Sequence, residues 1–254
     1  MSPFDLRQFV VLVGAGLVAY LLGLPYTMAL SPVGVTPSPL TVGVAVLQTA
    51  VLLAVAVGVG QYFGSPVGLG APVVTAALSG EAVPDRIRSF APRSIGWGAA
   101  VGVALLVLDV GLLVATGRPT VVQGLPPLWT RALAAFYGGV FEELLLRFGL
   151  VSFFVWVSWK LVRADDGGPT EAAVWAAIAV AAVIFALGHL PIVVASGGSI
   201  TPYLLVRSLL LNGLAGVVFG WLYWRDGLVA AVLAHFTADV VLHVVGLSVL
   251  DLLL

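Results

Sequence analysis

Hydrophobic residues occupy this chain in long unbroken blocks, and polar positions gather between them. A helix that crosses a bilayer needs about 20 apolar residues in succession. Seven blocks approach or exceed that length: 8–30, 40–63, 95–115, 129–159, 170–190, 203–224 and 228–247. A loop with Pro32, Pro37 and Pro39 separates the first two, and Pro25 softens the first. The stretch 64–94 differs, with five charged residues and breaks at Pro66, Pro72, Pro84 and Pro92. It predicts an interfacial segment with a short helix near 72–79, not an eighth span. Pro126-Pro127 precedes the fourth block and Gly167-Gly168-Pro169 follows it. Thr170 stands as the N-cap of the fifth, before Glu171. Gly197-Gly198 and Pro202 open the sixth, and Trp224-Arg225-Asp226-Gly227 turns into the last. The expected architecture is all-α: a polytopic membrane bundle of about seven transmembrane helices, with an interfacial segment near 64–94. No internal repeat appears, so 1–128 and 129–254 read as two parts of one integrated domain.

Composition supports this. Of 254 residues, 61% are hydrophobic and 9% charged, against roughly 25% charged in soluble domains, and the mean hydropathy is +1.13. A net charge of −1 offers nothing to a nucleic acid. With no cysteine, disulfides, zinc–thiolate sites and thiol nucleophiles are all excluded. Asp5 and Arg7 stand where a signal peptide would have a basic n-region, so the first block is expected to be a retained helix. A cytoplasmic N-terminus places Arg7, Arg86, Arg88, Arg93, Lys160, Arg163 and Arg225 on the cytoplasmic side, with Arg118 and Arg131 opposite. That is the positive-inside pattern. The expected location is therefore integral to the plasma membrane, N-terminus inside.

Chemistry concentrates in the fourth block, at Phe141-Glu142-Glu143-Leu-Leu-Leu-Arg147-Phe148. Each charge at mid-bilayer costs roughly 2.5–3.5 kcal/mol on insertion scales. Glu143 and Arg147 form an i, i+4 pair in the favourable order, while Glu142 points about 100° away and can face a cavity. Phe185-x-x-x-His189 ends the fifth block, and His235-x-x-x-Asp239 shares one face of the last, with His243 four residues on. Two histidines and a carboxylate could bind Zn²⁺ or another divalent metal and leave a place for water. In an equally drawable metal-free version, Glu142 and His189 activate water and His235 holds the oxyanion. A structural ion pair and a capping histidine are the bland readings of each motif alone. Asp109 and Arg207 could pair across helices, and Asn212 could bond a backbone group. Gly98, Gly102, Gly138, Gly139, Gly216 and Gly220 suit close helix approach. On these boundaries His189 lies at the outer end of its span, and Glu142 and His235 nearer mid-depth.

The three motifs in this order resemble the CPBP family of intramembrane proteases, also called Abi, which includes the type II CAAX prenyl endopeptidases. The run from Asn212-Gly213 to Trp221-x-Tyr223 and Gly227 is similar to that family too, and the resemblance spans 129–247. It implies a membrane peptidase with its cavity open to the cytoplasm, acting on a membrane-associated or lipidated, CAAX-like protein. Carried over by position, Glu142, Glu143, His189, His235 and Asp239 form the catalytic set, supported by Arg147 and Phe185. Glu142, His189, His235 and Asp239 are the ligands if a metal is used. Prenyl-processing members usually carry asparagine at the position of Asp239. An ionised carboxylate cannot donate to an oxyanion, so Asp239 is expected to orient the histidine or bind metal. Two other classes fit the same residues: a non-catalytic family member that regulates a membrane partner, and an ion-coupled transporter, which lacks support from any inverted repeat.

Overall fold

The computed structural model describes residues 4–30, 37–117, 125–195 and 198–249. Arg118, the Pro32 loop and the apolar tail after 249 lie outside them. The elements are α1 (Leu6–Ala29), α2 (Pro39–Gly64), α3 (Pro72–Leu78) and α4 (Pro84–Thr116). After them come α5 (Leu128–Phe136), α6 (Ser152–Leu161), α7 (Glu171–Gly188), α8 (Leu190–Ala195), α9 (Pro202–Asp226) and α10 (Leu228–Asp239). Between α5 and α6 the helix continues with π-helical winding over Tyr137–Glu142 and Leu144–Val151, so 128–161 is one helical run. A third π-helical stretch, Val240–Gly246, extends α10.

Among the described residues, six helices are long and apolar enough to cross a membrane. The seventh expected span is the 128–161 run, which carries Arg131, Glu142, Glu143, Arg147 and Lys160. The interfacial segment holds its predicted short helix, α3, but ends earlier than expected. Its last eleven residues, 84–94, belong to α4, which takes Pro92 inside it. Pro84 sits in the first turn, where a missing N–H is tolerated, and the charged residues from Asp85 to Arg93 extend α4 past its apolar part.

The outer surface is apolar, with Val18, Val51, Val107 and Val114 exposed, and the inside holds Leu53, Leu144, Phe148, Phe219 and Leu222. Glu143 and Arg147 are as deeply buried as any of these. Glycines bring helices together as predicted. A Cβ on Gly98 of α4 would collide with the Ala234 backbone of α10, and one on Gly216 of α9 would lie 2.7 Å from Ala182 Cβ of α7.

Polar contacts tie the helices at the end where α1 begins. Asp5 N donates to Gln61 Oε1, Gln8 Nε2 to Thr75 Oγ1 and Leu228 N to Gly70 O. Arg93 Nη2 meets Asp226 Oδ1 at 2.6 Å. The opposite end is hollow.

Candidate active site

A cavity of about 570 Å³ runs from that opposite end to mid-depth. Its wall comes from the end of α1 (Tyr26, Leu30), the C-terminal third of α4 (Asp109), the first half of 128–161, the end of α7 with α8, and the start of α9. Glu142, His189, His235 and Asp239 all line it. His189, towards the end of α7, and the deeper Glu142 and His235 thus line one cavity. Phe185 bridges the two histidines, its ring 4.7 Å from that of His189 and 5.8 Å from that of His235.

At its floor, two adjacent carboxylates reach one imidazole from different sides. His235 Nδ1 lies 2.7 Å from Glu143 Oε1, a hydrogen bond between buried groups 92 residues apart. His235 Nε2 lies 3.8 Å from Glu142 Oε2 and 3.8 Å from Asp239 Oδ1. Those gaps are too long for direct hydrogen bonds and suit a bridging water. Phe219 stacks on the imidazole at 4.6 Å. With Glu143 ionised, Nδ1 carries the proton it donates, and Nε2 is the nitrogen presented to the cavity. Asp239 is expected to orient the histidine or bind metal; Glu143 takes the Nδ1 bond, and Asp239 lies on the side of the cavity-facing Nε2.

Glu143 is itself held by Arg147, whose Nη1 lies 2.8 Å from the same Oε1, with side-chain exposures of 0% and 2%. Arg147 Nη2 donates to Gly216 O at 3.2 Å, and the guanidinium lies over Phe185 and Phe219 at 4.9 and 5.4 Å. The Arg147 cation is thus compensated by charge, carbonyl and π faces together. Glu142 is different. Its side chain is 17% exposed, into the cavity, and it makes no hydrogen bond among the described residues. The π-helical winding includes Glu142 and Arg147, on either side of Glu143, a distortion common at functional sites.

His189 caps α7, with Nδ1 2.9 Å from Phe185 O. That contact leaves Nε2 unpartnered among the described residues. Farther out, Arg207 makes a two-point ion pair with Asp109, Nε to Oδ1 at 2.6 Å and Nη2 to Oδ2 at 2.7 Å. The expected pair exists, and both members line the cavity. Asn212 bonds the Ser208 hydroxyl at 3.0 Å, not a backbone group; Ser208 in turn donates to Ala186 O. His243, four residues beyond Asp239, also lines the cavity, 3.9 Å from Asp239 Oδ1.

Gly138 looked like a packing glycine in sequence. A Cβ there would run into Asp239 Oδ2 and come within 3.0 Å of His235 Nε2, so the missing side chain makes room for the polar cluster. Only spacing could have flagged it, one turn before Glu142.

The imidazole nitrogens facing the cavity have the right chemistry for a divalent metal. Among the described residues, however, no three His, Asp or Glu side chains are placed to hold one ion. As disposed, the set does not fit a metal.

Residues 124–241 match the family model described as Type II CAAX prenyl endopeptidase Rce1-like. No curated protein and no solved structure matches the chain.

Proposed function

We propose, from the membership of residues 124–241 in the Rce1-like type II CAAX prenyl endopeptidase family, that this integral membrane protein is a glutamate-dependent intramembrane endopeptidase. The observation that carries the reading is the free Glu142 carboxylate facing His235 Nε2 in a cavity, beside a Glu143–Arg147 pair that fixes the imidazole. Its substrate is a membrane-associated or lipidated protein.

A water bridging Glu142 and His235 Nε2 would be the nucleophile. Glu142 takes its proton as the oxygen attacks the scissile carbonyl carbon. His235 enters the reaction as the imidazolium, between Glu142 and Glu143, and keeps both ring protons throughout, Nδ1–H donating to Glu143 and Nε2–H to the oxyanion. The C–N bond then breaks, and Glu142 passes the proton to the departing amine, leaving an acid and an amine from one water. His189 Nε2, at the cavity wall, assists in orienting the substrate or the water. Asp239 accepts a hydrogen bond from the water's second hydrogen, which stays on the attacking oxygen, and keeps His235 Nε2 directed inward. Asp109 with Arg207 braces the cavity wall. A divalent metal enters this scheme only if substrate draws Glu142, His189, His235 and Asp239 together.

Purified protein in lipid, given a library of membrane peptides, tests the reading. Wild type should cleave and Glu142→Ala should not, with metal content measured on the same sample. Folded wild type that cuts nothing, across lipids and added metals, would move the function to regulation of a membrane partner.

A further inference from the structure

We propose that the Tyr137 hydroxyl is a further catalytic group of this site, a second donor to the oxyanion beside His235. The inference rests on the peptidase reading and adds to it a residue outside the three motifs.

The developing charge otherwise has one donor at the floor, His235 Nε2–H. Glu142 and Asp239 carry carboxylates, which only accept when ionised. His189 donates through Nδ1 to Phe185 O, so its Nε2 is an acceptor in the neutral ring. A buried oxyanion is best held by more than one fixed donor.

Tyr137 is placed to be the second. It lines the same cavity as Glu142 and His235, five residues before Glu142 in the chain. In an α-helix five residues overshoot one turn by about 140°, and the two side chains would diverge. Here π-helical winding covers Tyr137–Glu142. Its i→i+5 pairing sets the residues at its two ends one turn apart, on one face.

The imidazole and the phenol approach that face from different helices. Gly138 abuts the α10 side, where a Cβ would come within 3.0 Å of His235 Nε2. Tyr137 packs on the α1 side, where a Cβ on Gly23 would lie 2.7 Å from Tyr137 Cβ. The Tyr137 ring is fixed there, 4.7 Å from the ring of Phe141 and 6.2 Å from that of Tyr20. Its hydroxyl is uncommitted: it makes no hydrogen bond among the described residues, and its oxygen is not sealed in the interior. Of the carboxylates, Glu142 acts most strongly on it.

As the water oxygen bonds to the scissile carbon, the carbonyl π pair moves onto its own oxygen. That oxygen takes hydrogen bonds from His235 Nε2–H and from the Tyr137 hydroxyl, and both donors keep their protons. When the C=O bond re-forms and the C–N bond breaks, the amine takes its proton from Glu142.

The test compares wild type with Tyr137→Phe in lipid, on the best-cleaved peptide of the membrane-peptide library. The substitution keeps the ring and its packing against α1, so the melting transition should not move. The kcat should fall by about 10²–10³-fold, as for loss of one oxyanion donor, with KM nearly unchanged. A peptide with a phosphinate in place of the scissile amide should lose affinity by a similar factor. Tyr20→Phe removes a hydroxyl from the same ring cluster but outside the cavity lining, and should cleave like wild type. An unchanged kcat in Tyr137→Phe overturns the assignment and leaves the peptidase reading standing. So does a loss confined to KM, or an equal fall in Tyr20→Phe, which would make packing of the cluster the cause. Wild type that cleaves nothing removes the peptidase reading and this donor with it.

Discussion

At the end where α1 begins, Arg93 meets Asp226 in a single contact, with side-chain exposures of 34% and 14%. At the other end, Arg207 meets Asp109 through two contacts, at 23% and 20%. The distances are alike, yet the first pair closes a seam between helices and the second stands in the wall of a cavity. A third pair, Glu143–Arg147, is sealed at mid-depth and holds neither end but a histidine. The comparison shows that an ion pair in a membrane bundle is defined by what it leaves free. Arg93 frees nothing, Arg207 leaves a cavity wall intact, and Arg147 fixes Glu143 so that, of the two adjacent glutamates, Glu142 remains uncommitted.

The sharpest way to break this comparison is at Glu142. Replacing it with Gln removes the general base and keeps the shape, so cleavage should fall by about 10²–10⁴-fold with the melting transition unchanged. Equal loss of folding would mean that Glu142 is structural after all. Arg147→Ala strands Glu143 as a buried carboxylate, and breaking such a pair costs about 3–5 kcal/mol; unfolding in mild detergent should report it. If the variant is as stable as wild type, the sealed pair is not what fixes the floor. Gly138→Ala overpacks the gap beside Asp239, at about 1–3 kcal/mol. Its activity should drop more than its stability explains, measured as turnover per folded molecule. Arg93→Ala should cost no more than about 1 kcal/mol, since the pair is partly in solvent, and cleavage should be untouched.

How far the chain disclosed this depends on distance along it. Glu143 and Arg147 were legible because helical periodicity sets an i, i+4 contact locally. Asp109 and Arg207 were legible because two opposite charges stood inside otherwise apolar blocks. The Glu143–His235 bond joins residues 92 apart, and no periodicity reports that. Spacing alone pairs His235 with Asp239, its neighbour on the same face, as its orienting group or as a fellow metal ligand. Gly138 was legible as a close-approach glycine, but not that the group it accommodates is the Asp239 carboxylate, which lies on another helix. The start of α4 is hidden in the sequence because Pro92 reads there as a break. A bend and a break look alike in one dimension, and here the helix carries the proline through.

The buried pairs also differ in when they can form. Glu143 and Arg147 sit on one helix, so their contact arises as that helix winds, and the segment enters the bilayer with one cation already cancelled. Asp109 has no such companion on α4. Its partner lies 98 residues later, on α9. Until α9 arrives, α4 carries a lone carboxylate whose insertion costs roughly 2.5–3.5 kcal/mol, and α4 cannot settle into its final place. Arrival of α9 supplies Arg207, its early half completes the cavity wall, and the hollow end takes shape late in assembly.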